Sequence, residues 1–79
     1  MNETNDAIAN LTNTEAVIAD LVTTGLGNRE VADEMCLSRH TVDFHLRQIY
    51  RKLGVNNRVQ LARLMLEHQA EHLQRDEAG

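Results

Sequence analysis

The sequence predicts an all-α fold: a four-helix domain containing a helix-turn-helix. Three observations predict it. The 79-residue chain contains no proline, the residue that removes a backbone donor and clashes with the preceding helical turn. Apolar residues recur at three- and four-residue spacings in four separate runs. Start and stop residues bracket these runs, with Thr12, Ser38 and Asn57 in front and Gly25 and Gly54 behind.

Each element follows from its own residues. Residues 1–10, "MNETNDAIAN", read as a flexible N-terminal arm; they lack the positive region of a signal peptide. Thr12 with Glu15 three residues on is a capping box. Ile18, Leu21 and Val22 then repeat at helical spacing and Gly25 is a stop, which gives a helix over about 13–24. A short helix over 28–35 turns Val31, Ala32 and Met35 inward. Its cap position holds Gly27, weaker than serine by about 0.3 kcal/mol. "CLS" is a turn, with Cys36 expected as a small buried apolar residue.

Ser38 caps a third helix, 39–53, ended by Gly54. On it Val42, His45, Leu46, Ile49 and Leu53 share one arc of about 100°. The opposite arc carries His40, Asp43, Phe44, Arg47 and Arg51 and must face water or a partner. Asn57 caps a fourth helix, 58–73, with two apolar stripes. Val59, Ala62, Leu66, Ala70 and Leu73 form one. Leu61, Leu64 and Met65 form the other, continued by His68 and His72. Together they cover roughly two thirds of the circumference, more than the ~100° that a core contact needs. The expectation is that Leu61, Leu64, Met65 and His68 meet a second copy of the chain. Residues 75–79 read as a flexible tail, which leaves 11–74 as the domain.

Net charge is −4, which at first argues against a nucleic-acid partner. Its distribution argues the other way. Residues 38–58 hold five of the eight basic residues and one acid, a local charge of +4 against −8 elsewhere. Local charge sets the field at a binding face. A merely solvated basic helix accounts for the charge equally well.

A single cysteine excludes an internal disulfide framework and fits a reducing cytoplasm. No apolar run approaches the ~20 residues that span a membrane. His68 and His72 share a helix face, but no third ligand or His-Glu-x-x-His order accompanies them, so no metal is expected. With no nucleophile–base pair, phosphate loop or carboxylate dyad apparent, neither an enzyme nor a cofactor is expected.

Helix 28–35, a short turn and helix 39–53 have the proportions of a helix-turn-helix, whose second helix lies in the major groove. The residues are more specific than the spacing. Leu11-Thr12 with Glu15, "GLGNREVA", "LSRHTV", His45-Leu46 and "IYRKLGVNNR" together resemble the LuxR-type helix-turn-helix of bacterial transcription regulators. The resemblance covers about residues 11–66. It implies sequence-specific binding to double-stranded DNA in the bacterial cytoplasm, on the nucleoid, as a homodimer joined through the fourth helix. RNA polymerase is a further candidate partner. It also implies that Arg29 and Thr41 contact phosphates, that Phe44 and Arg47 read bases, and that His45 is structural. Neither the sequence recognised nor the sense of regulation follows from it, nor whether the chain is stand-alone or the end of a longer regulator.

Three departures stand out. Asp43 replaces the family's usual lysine, Gly27 a serine, and Thr14 an arginine. A carboxylate near phosphates is repelled, yet it can accept a hydrogen bond from cytosine N4 or pair with Arg47 at i,i+4. The competing reading is a domain that has given up strong DNA binding and serves protein contacts.

Overall fold

In the computed structural model the backbone is described for residues 3–78 and side chains for residues 6–70. The chain forms α1 (Glu3–Ala9), α2 (Asn13–Thr23), α3 (Asn28–Met35), α4 (Arg39–Leu53) and α5 (Arg58–Ala78), with no strand among the described residues. The all-α expectation holds, and the four expected helices are α2 to α5. The fifth element lies within the segment read as an arm: residues 3–9 are helical and pack beside α4. Ile8 and Leu11, three residues apart, anchor this segment on the core. At the other end α5 continues to Ala78, so the expected tail is helical in backbone up to that residue. The side chains of His72 and Leu73 lie outside the described residues.

Three helices end by the same device. Gly25 (φ 99°), Cys36 (φ 57°) and Gly54 (φ 68°) are left-handed. The residue after each donates its N–H five residues back: Leu26 to Leu21 O, Leu37 to Ala32 O and Val55 to Tyr50 O, at 3.2, 2.9 and 3.0 Å. Leu26, Leu37 and Val55 then pack on the core. This closure satisfies carbonyls that a helix end leaves open and steers the chain back inward. Cys36 is exposed, not buried as expected, because the left-handed turn aims its side chain outward while Leu37 takes the inward place.

The core gathers Ile18, Ala19 and Val22 from α2, Val31 and Ala32 from α3, Val42, Leu46 and Ile49 from α4, and Leu61 and Met65 from α5. Burying one of the valine, leucine, isoleucine or methionine side chains contributes about 1.5–3 kcal/mol. A buried carboxylate lies at its margin. Glu15 accepts from the Thr12 N–H at 2.9 Å and from Lys52 Nζ at 2.6 Å, which ties the start of α2 to the end of α4.

Leu61 is 0 % exposed and Met65 is buried, whereas Val59 and Leu66 are 68 % and 54 % exposed. The two stripes of α5 are therefore exchanged relative to expectation. Leu61 and Met65 serve the protomer's own core and have no surface left for a partner; Leu64 and His68 lie half-buried at the edge. Arg58 supplies a physical reason. Its Nη1 donates to Asn28 Oδ1 and its Nη2 to Leu26 O, both at 2.8 Å. Arg58, Leu61 and Met65 recur at i, i+3 and i+7, one face of a helix. Clamping Arg58 to the α2–α3 connection therefore turns Leu61 and Met65 inward.

Candidate nucleic-acid interface

The helix-turn-helix is built from α3, the turn Cys36–Ser38 and α4. Ser38 starts α4: its Oγ accepts from the Thr41 N–H at 3.0 Å and lies 2.9 Å from Thr41 Oγ1. One of the four orphan donors of a helix start is thereby satisfied. Gly27 leaves α3 with half of a capping box, in which Glu30 Oε1 accepts from the Gly27 N–H at 3.0 Å.

The rear of α4 is locked. Val42, Leu46 and Ile49 are buried, and His45 and Leu53 half-buried beside them. Its front is open. His40, Phe44, Arg47 and Arg51 are exposed, and Asp43 and Thr41 half-exposed. The outward arc read from periodicity is thus the solvent face of the folded helix. Phe44 keeps an edge-to-face contact with His45, ring centroids 5.7 Å apart, while remaining exposed. Arg29 lies exposed in the first turn of α3.

On that face Arg47 Nη2 and Asp43 Oδ2 are 3.0 Å apart, with the side chains 75 % and 47 % exposed. An exposed i,i+4 pair contributes only about 0.3–0.5 kcal/mol. Its role in stability is small, and its effect is on the local field, where it cancels one positive charge.

Two more charges of the basic segment are engaged elsewhere. Lys52 is held by Glu15, and Arg58 by Asn28 and the Leu26 carbonyl. That leaves Arg39, Arg47 and Arg51 as the exposed basic residues of α4 that are not tied to another helix, opposed by Asp43. Charge counting along the chain missed this division. A positional signal existed: Lys52 follows Ile49 by three residues and so borders the core arc. Burial alone raises the Glu15 pKa. The Lys52 hydrogen bond, the Thr12 N–H, the Lys52 charge and the Thr12 hydroxyl outweigh it and hold the carboxyl below its ordinary value.

Among the described residues no cluster of three or more histidine, cysteine or acidic side chains is placed to hold a metal. Among the same residues, no helix is long and apolar enough to cross a membrane.

Residues 9–65 match the family described as bacterial regulatory proteins, luxR family. The chain is 45% identical over 51 residues to an HTH-type transcriptional regulator of Mycobacterium bovis, covering 65% of this chain and 6% of that protein. It is 43% identical over 51 residues to the Fimbriae Z protein of Escherichia coli, covering 65% of this chain and 24% of that one. It is 35% identical over 60 residues to the DNA-binding transcriptional activator DevR/DosR of Mycobacterium tuberculosis, covering 76% and 28%. The chain therefore spans less than a third of the length of each of these relatives.

Proposed function

Because the chain belongs to the luxR family of bacterial regulatory proteins, we propose that it binds double-stranded DNA as a transcription regulator, with α4 in the major groove. The observation that carries this reading is the division of α4 into a buried rear and an open front. A helix held rigidly from behind can present side chains to base edges with little loss of order on binding. His40, Asp43, Phe44 and Arg47 on its N-terminal half face the bases, and Phe44 suits a thymine methyl. Arg29, Thr41 and Arg51 flank them and contact phosphates.

The same reading makes the protein a two-fold dimer through α5, by the more exposed stripe: Val59, Leu66 and Ala70, with Ala62 half-buried among them. Two copies related by a two-fold axis present two recognition helices, so the site is a pseudo-palindrome. RNA polymerase is the further partner that such a regulator engages, and the cytoplasm is the compartment where it acts.

A second reading has one observation in its favour. The net charge of −4 and the Asp43–Arg47 pair leave a weak positive field, as in a helix-turn-helix kept for protein contacts. Selection of bound sequences from a random duplex library, at one stated salt concentration, separates the two. Binding enriches a two-fold motif, and Arg47→Ala weakens it by ~1–3 kcal/mol. If the parent enriches no motif, the protein-contact reading replaces this one. If Arg47→Ala binds as tightly as the parent, α4 is not the reading helix.

A further inference from the structure

We propose that Asp43 and Arg47 act as one reading unit for a guanine·cytosine pair, Asp43 accepting a hydrogen bond from the cytosine amino group while Arg47 donates to the guanine edge. This rests on α4 entering the major groove.

The 3.0 Å contact uses Arg47 Nη2 and Asp43 Oδ2. A guanidinium has five N–H donors and a carboxylate about four lone-pair sites. After one contact both groups keep most of their capacity, and both side chains are open to solvent on the outward arc. The pair thus displays donors beside acceptors on a nearly neutral head.

That display has a natural complement. In the major groove a guanine·cytosine pair shows two acceptors, N7 and O6, next to the cytosine N4 donor. The arginine fork takes the two acceptors and the carboxylate takes the donor. An adenine·thymine pair shows an acceptor on each side of its amino group. The fork then finds one acceptor instead of two, and the carboxylate faces thymine O4. The unit therefore discriminates between base pairs by directional bonds.

Electrostatics points the same way. Phosphate attraction is the sequence-independent part of binding. Here Lys52 and Arg58 are tied to partners on other helices and Asp43 cancels part of what remains. A reading head with so little free charge binds where its hydrogen bonds are met and weakly elsewhere. An unpaired carboxylate in the groove would repel phosphates, and Arg47 removes that objection.

The test uses the full chain and its variant Asp43→Ala, which stays folded because the side chain is half-exposed and its one contact is at the surface. Both are titrated with the selected duplex and with the same duplex carrying pyrimidin-2-one, which lacks the amino group, in place of the cytosine in question. The parent loses about tenfold on this replacement, and Asp43→Ala loses no more than a reference duplex altered outside the contact region does. Equal losses for both proteins overturn the proposal, because Asp43 then serves only to position Arg47. So does selection of the same motif by Asp43→Ala with tighter binding throughout, which makes the carboxylate merely repulsive. A parent that binds no duplex refutes DNA binding itself, a separate result.

Discussion

Cys36 occupies a backbone conformation that the other two helix ends give to glycine, with φ 57° against 99° and 68°. A side chain in the left-handed region costs about 1–2 kcal/mol, because its Cβ crowds the following carbonyl. Glycine escapes that cost but has a freer unfolded chain, which returns about 0.4–1 kcal/mol. Cys36→Gly should therefore stabilise the protein by about 0.5 kcal/mol, read as a higher urea midpoint at unchanged slope. A lower midpoint would mean that the thiol makes a contact worth more than the backbone relief. Arg47 teaches a different lesson at the same scale. Periodicity was enough to turn it outward, and its i,i+4 spacing to Asp43 allowed a pair. That the pair forms, with both groups left exposed, depends on rotamers that only the fold determines. Arg58 belongs to the same class: nothing in its neighbours along the chain announces a clamp on Leu26 and Asn28, 32 and 30 residues away.

The elements are joined by polar ties as well as by the core, and the tie between α2 and α4 is sensitive to pH. Glu15 closes the cap of α2 and holds Lys52 at the end of α4. Its folded pKa is lowered. A lowered carboxylate contributes stability in full above its unfolded pKa, about 4.3 for glutamate, and loses it as the pH falls through the folded value. Glu15→Gln should thus cost about 1–2 kcal/mol at neutral pH, the range for hydrogen bonds to a charged group partly open to solvent. The difference from the parent should shrink as the pH falls below about 4. Urea unfolding at pH 7 and pH 3 makes the comparison. A gap of the same size at both would show that charge at Glu15 does not matter. This capping box was legible in the sequence, since both partners lie within one turn. Its third member, Lys52, was not, because it lies 37 residues away.

For the molecule as a whole, the rotation of α5 decides what the surface offers. With Leu61 buried and Leu66 exposed, the two residues should respond oppositely to the same change. Leu61→Glu places a charge in the core and should unfold the domain, since an unpaired buried charge is among the most destabilising substitutions. Leu66→Glu should leave helical content and thermal midpoint near the parent's. If α5 is the dimer face, it should also lower self-association in sedimentation and weaken binding to a two-fold site more than to a half-site. Unfolding of Leu66→Glu would return the stripes to the assignment expected from sequence. Full dimerisation of a folded Leu66→Glu would move the dimer to another face.

Signals local to the chain suffice for the all-α class, the four helices from α2 to α5, their starts at Thr12, Ser38 and Asn57, and the buried and open arcs of α4. These are local properties: caps act within one turn, and an amphipathic helix with one apolar face has one way to bury it. The sequence also carried enough motif to indicate the luxR family. Tertiary structure alone decided the packing of α1, the rotation of α5, and which basic residues remain free. α1 holds only Ile8 as a sizeable apolar anchor among its described side chains, too little periodicity to announce a helix. α5 carries two apolar stripes, so its pattern is satisfied by either rotation, and Arg58 breaks the tie from outside the helix. Lys52 and Arg58 look like Arg47 when charges are counted along a chain. They differ because folding brings Glu15 to one and Asn28 with the Leu26 carbonyl to the other, which restrains both side chains and, for Lys52, offsets its charge.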